Sequence, residues 1–578
     1  MKRFRFYENP VLNEAMPLWR ARFVMLFIML GFGALIIKAL YLQGLSTQFL
    51  QEQGVRRFER TLVLPPTRGK LFDRSGEVVL ATSIPVRAIW AIPDDARHAT
   101  SEQLQQLAEL LDLSVADIQK RLQVEGRGFV YIKRQVDLDL AEQVAALEVP
   151  GIHQQDEMRR FYPEGEGLAH VLGFTDIEDR GLEGIELAFD EVLSGQPGSR
   201  RVVRDRLGRI VADVREVLPP QHGQDLVLSI DVGVQYDAYR ALKKALEYHD
   251  AVAGSAVVLD VRTGEIMALV NLPTYNPNDR NDRTGDALRN RVLTDTFEPG
   301  STLKPFTVAA ALEAGVVDLN TTFDTGQGRY RYEGSVISDV SRNGVLDVAG
   351  ILRRSSNIGM TMLSERMTSE QMWQTFDRLG FGKAPQLGFP GAAAGRLRAW
   401  NSWRPIERAT MAYGYGLSVS LMQIAQAFSV FARDGDMVSL SLLKRDTLPS
   451  STPVFSPEVA RAVRSMLEAA AGPDGTRRAA VTGYRVAGKS GTARKIVDGA
   501  YSKERYRSSF VGFAPVSDPR VVVAVSIDEP RREGYFGGLV AAPVFSDIVA
   551  GSMRRLGVQP DAPLESLVAL DAHAGGIQ

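Results

Sequence analysis

The chain of 578 residues contains no cysteine and only six histidines. Without cysteine there is no disulfide and no thiolate metal ligand. The histidines are scattered and form no His-Glu-x-x-His pair, which argues against a zinc hydrolase. The formal net charge is only -1, so the chain lacks the positive excess with which proteins hold nucleic acid. We therefore expect no metal, no other cofactor and no nucleic-acid partner.

Long uncharged stretches are scarce, and the clearest one lies near the N-terminus. Residues 23–37 carry no charge, and after Lys38 the apolar run continues to Leu42. Twenty residues form a helix of about 30 Å, which matches the hydrocarbon core of a bilayer. A signal peptide would have a shorter apolar region and a small-residue cleavage site, and a buried core helix is the other alternative. We predict a transmembrane helix over residues 23–42.

Basic residues are more frequent before this segment than directly after it. Those before it are Lys2, Arg3, Arg5, Arg20 and Arg22, and those after it are chiefly Arg56, Arg57 and Arg60. The positive-inside rule then places residues 1–22 in the cytoplasm and everything after the span across the membrane.

Two folded domains are predicted after the apolar segment, because the chain far exceeds the ~100 to 200 residues of a typical domain. Residues 43–225 combine short strand-like runs with a helical insert over residues 100–122, so we expect a β-rich domain. A strand followed by an amphipathic helix begins a second domain, placed at residues 226–558. Residues 559–578 are predicted to be a weakly structured tail.

The second domain contains several apolar strands. Two of them flank the turn Arg262–Gly264 and form a predicted hairpin. Residues 520–527 form a further apolar strand. A sheet built from these strands would collect elements from both ends of the domain.

Ser301 and Lys304 lie three residues apart, directly after a Pro-Gly turn. At this spacing the two side chains share one face of the first turn of a helix. A serine hydroxyl is a weak nucleophile until a base removes its proton, and a neutral amine beside it is able to do so. The pattern alone is weak, because about two Ser-x-x-Lys matches are expected by chance in such a chain. Ser441 and Lys444 form a second match.

Two further motifs strengthen the interpretation of Ser301 and Lys304 as a catalytic pair. Ser355-Ser356-Asn357 opens a helix-like stretch, and Lys489-Ser490-Gly491-Thr492 lies in a strand-like run. The order Ser-x-x-Lys, Ser-x-Asn, Lys-Ser/Thr-Gly is that of penicillin-binding proteins. Ser341-Arg342-Asn343 also fits the second motif, but an Asn-Gly turn follows it instead of a helix. Strand alternation puts Lys489 on the opposite face from Ser490 and Thr492, so strand twist or the reach of Lys489 must bring them together.

With these motifs, residues 226–558 resemble the penicillin-binding transpeptidase domain. The runs Arg68–Gly76 and Gly181–Glu186 resemble the pedestal, or dimerisation-type, domain of class B penicillin-binding proteins. Residues 413–420, 535–538 and 542–545 are similar to the division-specific members (FtsI type, penicillin-binding protein 3). The resemblance implies a mixed α/β (α+β) fold of the serine β-lactamase and transpeptidase kind, with an antiparallel sheet flanked by helices, a β-rich pedestal and one transmembrane helix.

The resemblance also implies a role for each motif residue. Ser301 would attack the D-Ala-D-Ala carbonyl with Lys304 as general base, and Lys489 would polarise the proton relay. Ser355 and Asn357 would relay the proton and hold the donor peptide. The terminal carboxylate, or its β-lactam counterpart, would be bound by Ser490, Gly491 and Thr492. The backbone N–H groups of Ser301 and Thr492 would form the oxyanion hole.

Function and location follow from the same resemblance. The expected reaction is D,D-transpeptidation of peptidoglycan stem peptides during septal cell-wall synthesis, through a serine acyl-enzyme that β-lactams inhibit. The expected location is the bacterial inner membrane at the division septum, with the catalytic domain in the periplasm. The expected partners are a membrane glycosyltransferase (FtsW type) and other division proteins.

Other classes of protein fit parts of the pattern. Residues 483–490 match the phosphate loop GxxxxGK[ST], but Gly491 and a turn at Asp498-Gly499 follow instead of a helix. A class A β-lactamase needs a glutamate that positions a deacylating water, and no residue can be assigned that role. A membrane β-lactam sensor shares the serine motifs. An inactive scaffold is disfavoured, because all three motifs keep their reactive groups.

Overall fold

The structure is a computed structural model that describes residues 17–45, 59–123, 128–204 and 210–563. Its contacts divide the chain into two compact units. The first comprises Met1–Pro66 and Gln196–His222, and the second comprises Thr67–Gly195 and Gly223–Gln578. Most of the predicted cytoplasmic and C-terminal tails, and the basic residues Lys2, Arg3, Arg5, Arg56 and Arg57, lie outside the described residues.

The strands of the described residues are numbered along the chain. They are β1 (Glu59–Leu64), β2 (Leu71–Phe72), β3 (Val79–Ala91), β4 (Val130–Val136), β5 (Ile152–Phe161), β6 (Gly198–Arg204), β7 (Ile210–Leu218), β8 (Leu226–Val227), β9 (Ala253–Asp260), β10 (Ile266–Leu272), β11 (Thr296–Phe297), β12 (Thr322–Asp324), β13 (Arg329–Tyr332), β14 (Ser335–Ser338), β15 (Val345–Asp347), β16 (Val419–Ser420), β17 (Asp436–Val438), β18 (Ser451–Pro453), β19 (Ala487–Val497), β20 (Ala500–Ala514) and β21 (Val521–Asp528).

The α-helices are numbered in the same way. They are α1 (Leu18–Leu40), α2 (Pro93–Ala96), α3 (Ser101–Leu110), α4 (Val115–Leu122), α5 (Leu138–Ala146), α6 (Ala169–Leu172), α7 (Gly184–Ala188), α8 (Asp190–Ser194), α9 (Val232–His249), α10 (Arg291–Thr294), α11 (Lys304–Glu313), α12 (Val348–Arg354), α13 (Asn357–Glu365), α14 (Ser369–Arg378), α15 (Pro405–Ala412), α16 (Leu421–Ala432), α17 (Pro457–Ala471), α18 (Gly537–Val540) and α19 (Ala542–Arg555).

Helix α1 contains the predicted apolar segment up to Leu40. It begins at Leu18 rather than at Phe23, and a π-helical turn over Tyr41–Leu45 follows it. None of its residues is buried. Its 23 residues correspond to about 35 Å, enough to cross the hydrocarbon core of a membrane.

The first unit also contains a small antiparallel sheet in the order β1-β6-β7. Its strands come from two separate parts of the chain, because β1 precedes the second unit and β6 and β7 follow the first half of it.

The second unit contains two larger sheets, of which the five-stranded antiparallel sheet β10-β9-β21-β20-β19 carries the site described below. The predicted hairpin is β9–β10, and the predicted strand over residues 520–527 is β21, which pairs with β9. The sheet therefore joins both ends of the second domain, as the sequence predicted.

Both faces of this sheet are covered by helices. Every residue of β9 is buried, and its apolar side chains alternate between two hydrophobic clusters. Ala256 and Val258 face the cluster that includes α9 and α19, whereas Val257 and Leu259 face the cluster that includes α11 and α16. The result is a sheet between two helical layers, which confirms the predicted fold class.

The other sheet has the order β4-β3-β2-β8, with β5 also paired to β3. The helical insert over residues 100–122 is not continuous, since α3 ends near Asp112, which has a positive φ of 50°. Ser114 then caps α4 by accepting a hydrogen bond from Asp117 N. Strand β8, at the start of the predicted transpeptidase domain, belongs to this pedestal sheet.

A buried ion cluster joins three segments of the pedestal. The carboxylate of Glu186, which is fully buried, accepts from Arg68 Nε and from Arg160 Nε, each at 2.6 Å. Arg68 also donates to Asp190 Oδ1 at 2.6 Å and to the backbone oxygen of Glu186 at 2.7 Å. Glu186 is therefore a counter-ion of two guanidinium groups that are themselves shielded from water, and Asp190 is a second counter-ion of Arg68.

We expect Glu186→Gln to lower the free energy of unfolding by about 3–5 kcal/mol, because it removes the carboxylate paired with the buried guanidinium of Arg160 and one of the two paired with Arg68. Chemical denaturation of the full-length protein measures this loss. Asp518→Asn is the matched control: it removes an exposed ion pair with Arg262, which contributes at most about 1 kcal/mol. Equal losses in the two variants would contradict the prediction.

Candidate active site

Ser301 lies on a 3-10 turn, Gly300–Thr302, that leads directly into α11. Gly300 has a positive φ of 55°, and its N–H donates to the backbone oxygen of Gly414 at 3.0 Å. A Cβ atom at Gly414 would lie only 2.1 Å from Gly300 O. Two glycines therefore allow the two backbones to touch, and this contact fixes the turn that presents Ser301.

Lys304 begins α11 and is fully buried. Its Nζ donates to Ser355 O at 2.5 Å, to Asn357 Oδ1 at 2.8 Å and to Ser355 Oγ at 3.2 Å. Ser355 Oγ lies 3.0 Å from Ser301 Oγ. In the described site, Ser301 and Lys304 share no hydrogen bond of their own, so Ser355 connects them.

Ser355 has a left-handed backbone conformation, with φ 55° and ψ 39°, between α12 and α13. This region is costly for a residue with a side chain, and such strain is typical of functional sites. Ser356 caps α13 by accepting from Gly359 N at 2.9 Å, and Asn357 is the first residue of that helix. Two helices thus hold Ser355 and Asn357 against Lys304.

The third motif lies on β19, which is an edge strand of the five-stranded sheet. Lys489 is 4% exposed, whereas Ser490 and Thr492 are half-buried, so the residues alternate as the sequence predicted. Lys489 Nζ donates to Ser490 O at 3.2 Å, and Thr492 Oγ1 accepts from Gly537 N at 2.9 Å. Lys489 faces the interior and lies close enough to Lys304 for their charges to interact.

The two buried lysines have lowered pKa values. Burial lowers the pKa of Lys304 well below its usual value, the charge of Lys489 lowers it further, and the charge of Asp339 opposes this shift. Burial lowers the pKa of Lys489 to about 8. A lowered pKa favours the neutral amine, which can accept a proton as a general base must.

Gly491 allows β19 to approach the turn that carries Ser301. A Cβ atom at this position would lie 2.5 Å from Ser509 Oγ, 2.9 Å from Thr302 Cγ2 and 3.1 Å from Pro299 O. Distances below 3.0 Å require the neighbouring atoms to move. The glycine of the third motif is therefore needed for packing between the strand and the nucleophile turn.

Two acidic residues near these motifs were missed by the sequence analysis. Asp339 accepts hydrogen bonds from the start of α13. Glu298 Oε1 accepts from Gly416 N at 2.7 Å and from the hydroxyl of Tyr501 at 3.1 Å, and burial raises the pKa of Glu298. Glu298 stands three residues before Ser301, a proximity that could have drawn attention to it.

The duplicate motifs lie elsewhere in the structure. Ser441 Oγ donates to Leu443 O at 2.7 Å, and Lys444 is exposed. Asn343 of the second Ser-x-Asn match lies in a loop and donates to Asp339. Lys489 and Ser490 lie within a continuous antiparallel strand, whereas a phosphate loop needs a helix to begin at the lysine.

This fold and these motifs define a penicillin-binding protein. The penicillin-binding protein transpeptidase domain model matches residues 254–550, and the dimerisation domain model matches residues 63–228. Together they indicate a class B protein. The chain belongs to the class B penicillin-binding proteins, the family that includes the FtsI and PenA peptidoglycan D,D-transpeptidases.

Two individual relatives are similar in sequence to this chain over nearly its full length. The chain is 45% identical to the Neisseria gonorrhoeae protein named "Probable peptidoglycan D,D-transpeptidase PenA", over 94% of each chain. It is 40% identical to "Peptidoglycan D,D-transpeptidase FtsI" of Escherichia coli K12, over 94% of this chain and 93% of the relative.

Two solved structures are also similar to this chain. The transpeptidase domain of Burkholderia pseudomallei penicillin-binding protein 3 is 50% identical with a TM-score of 0.54, covering 58% of this chain and 98% of that one. A peptidoglycan synthetase of Bifidobacterium adolescentis is 27% identical with a TM-score of 0.70, covering 87% of this chain and 98% of that one.

We expect Gly491→Ala to slow labelling by a fluorescent penicillin by about tenfold or more, because the added methyl group pushes β19 away from Ser301. Labelling rates of the full-length protein in detergent measure this effect. Gly128→Ala is the control, since a Cβ there has no neighbour within 4 Å. A parental rate in Gly491→Ala would contradict the proposed contact.

Proposed function

We propose that the chain is a peptidoglycan D,D-transpeptidase that cross-links stem peptides at the division septum through an acyl-enzyme on Ser301. The observation that carries this proposal is the hydrogen-bonded sequence Ser301 Oγ, Ser355 Oγ, Lys304 Nζ, with distances of 3.0 and 3.2 Å. It links an accessible hydroxyl to a buried amine with a lowered pKa, which is the arrangement that serine activation requires.

In the proposed acylation, Ser301 Oγ attacks the carbonyl carbon of the penultimate D-Ala of the donor. Its proton passes to Ser355 Oγ, while the hydroxyl proton of Ser355 passes to Lys304 Nζ. The N–H groups of Ser301 and Thr492 stabilise the oxyanion. When the peptide C–N bond breaks, the same relay returns a proton to the amine of the departing D-Ala. An ester on Ser301 and free D-Ala result.

We propose that the donor peptide binds along strand β19. Its outer edge offers backbone groups with which an extended peptide can pair, and the half-buried hydroxyls of Ser490 and Thr492 lie on this strand. Lys489 is proposed to remain charged and to polarise the relay. Asn357 holds Lys304 through Oδ1, and its Nδ2 donates to Ser338 O at 3.3 Å. We propose that the donor peptide replaces this last bond.

In the second half-reaction, the amine of an acceptor stem peptide attacks the ester, and Ser301 regains its proton through Ser355 and Lys304. Attack by water instead would yield a carboxypeptidase. β-Lactams would acylate Ser301 in the same way and remain attached.

The proposed arrangement in the cell follows the sequence analysis. Residues 1–22 form the cytoplasmic tail, residues 23–42 the membrane span, residues 43–225 the pedestal, residues 226–558 the transpeptidase domain and residues 559–578 the tail. Helix α1 supports a single-pass anchor because it is apolar and long enough. The anchor and the pedestal are the proposed contact surfaces for an FtsW-type glycosyltransferase and other division proteins at the septum.

The covalent step predicts a β-lactam adduct on Ser301. Intact-mass and peptide mass spectrometry of the full-length protein should find one adduct in the parent, none in Ser301→Ala and a normal adduct in Ser441→Ala. Modification at Ser441, or no modification, would overturn the assignment. A transpeptidase or a sensor should release the adduct only over many hours, whereas a β-lactamase would release it quickly and turn the drug over.

The septal role predicts the effect of depletion. Cells that lose the protein should elongate into filaments, because septal cross-linking stops while side-wall growth continues. Microscopy during controlled depletion measures cell length, and a Ser301→Ala copy should fail to restore division where the parental copy succeeds. Rounded cells would assign the protein to elongation instead.

A further inference from the structure

A cavity of about 330 Å³ lies where the pedestal meets the transpeptidase domain, and the described residues that line it include none of the three motifs. Its volume is within the range of about 300–1,000 Å³ that is usual for small-molecule sites. Apolar walls come from Leu187 of the pedestal and from Leu288, Phe389 and Pro390 of the transpeptidase domain. The cavity is therefore a candidate ligand site separate from the catalytic centre.

Several polar side chains of the lining are already bonded within the protein. The hydroxyl of Tyr275 donates to Ala169 O at 3.0 Å, and Asn290 Nδ2 donates to His170 O at 3.1 Å. Nε2 of His170 bonds to Ala287 O at 2.7 Å. Burial lowers the pKa of His170 to about 4, so this ring is neutral at physiological pH.

The cation of the lining is compensated as well. Arg289 lies between two carboxylates, with Nη1 3.0 Å from Asp286 Oδ1 and Nη2 donating to Asp295 Oδ1. Thr294 Oγ1 donates to Asn290 O at 3.0 Å. These groups have partners within the chain and do not require a ligand.

Glu183 differs from these groups. Among the described residues its carboxylate has no ion pair, and it makes no capping bond although it stands at the N-cap position of α7. Burial alone raises the pKa of Glu183, so no neighbouring cation compensates its charge. Burial also raises the pKa of Tyr275, and the charge of Glu183 raises it further. The carboxylate therefore lies close to this ring.

Two glycines fix the backbone that carries Glu183. Gly173 has a φ of 74° and Gly184 a φ of 63°. A Cβ atom at Gly173 would lie 1.9 Å from Glu183 O, and one at Gly184 would lie 2.5 Å from Gly173 N. The turn after α6 thus packs directly against the start of α7. Because this backbone is already ordered, binding at Glu183 would cost little additional entropy.

We propose that this cavity binds a small ligand with a primary ammonium group on an aliphatic chain, either a diamine or the side chain of a short peptide. The ammonium would pair with Glu183 beside the ring of Tyr275, an arrangement that also allows a cation–π contact. The aliphatic chain would lie along Leu187, Leu288 and Phe389. Charge complementarity selects a cation, because Glu183 is the uncompensated charge of the described lining.

The test is a ligand-observed NMR titration of the full-length protein in detergent. Cadaverine represents the diamine source, and Nα-acetyl-lysine methylamide represents the peptide source. The parent should bind at least one of them with a Kd in the millimolar range, roughly 1 mM, since one ion pair and a short chain supply modest affinity. Pentanediol has the same chain without charge and should bind at least about tenfold more weakly. The tighter of the two amines identifies the source.

Three variants locate the binding. Glu183→Gln keeps the shape of the side chain, removes its charge and should weaken binding by about tenfold or more. Leu187→Trp keeps the carboxylate but narrows the cavity, and it should weaken binding to a similar extent. Leu187 is 41% exposed, so a larger side chain can be placed there without disturbing the core. Glu191→Gln removes an exposed carboxylate of α8 and should bind like the parent.

Four results would overturn the proposal. The first is a parent that shows no saturable binding of either amine up to about 50 mM. The second is pentanediol binding as tightly as the amines. The third is a folded Glu183→Gln variant with parental affinity, because binding would then lie elsewhere. If that variant does not fold, parental affinity in Leu187→Trp is the fourth.

Labelling of the same samples with a fluorescent penicillin tests the proposed function separately. A parent that binds the amine but is not labelled contradicts the transpeptidase activity and supports the cavity as a ligand site. A parent that is labelled but does not bind either amine supports the activity and overturns the ligand site.

Discussion

The burial of one amine, Lys304 Nζ, is the constraint on which the rest of the site depends. Water is excluded from it, so its charged form is disfavoured and its donors must find acceptors within the protein. The turn at Ser355 and the first residue of α13 supply these acceptors. The left-handed conformation of Ser355 directs its carbonyl and its hydroxyl to the same amine, which explains why a strained residue stands there.

Close backbone contact is the second requirement, since the three motifs come from elements far apart in the chain. Glycines provide it on both sides of the nucleophile. Gly300 and Gly414 bring the Ser301 turn against the segment after α15, and Gly491 brings β19 against the same turn from the other side. The five-stranded sheet, covered on both faces, gives β19 a rigid support. Backbone packing thereby positions the turn that carries Ser301, in addition to the hydrogen bond between Ser301 and Ser355.

Sequence patterns predicted the parts of this arrangement that depend on short, local signals. The hairpin β9–β10, strand β21 and the helices after Ser301 and Ser356 follow from apolar periodicity and turn residues. Asp339 gave no such signal, because it is an acidic residue in a polar loop and its partners are mostly backbone N–H groups of a later helix. The break between α3 and α4 was missed because the leucine stripe continues in the sequence while the chain turns at Asp112.

The proximity of two buried lysines limits which of them can be the general base and which can remain charged. Both cannot carry a full charge at low energetic cost, because neither is hydrated and their charges repel. Burial lowers the pKa of both lysines, to about 8 at Lys489, and at Lys304 the charge of Lys489 adds to this effect while the charge of Asp339 opposes it. When neighbouring groups differ in this way, the one that loses its proton first is the base and the other remains the cation. The same electrostatics that favours a neutral Lys304 therefore supports the proposed roles: Lys304 accepts the proton of the nucleophile, and Lys489 supplies the positive charge beside the relay.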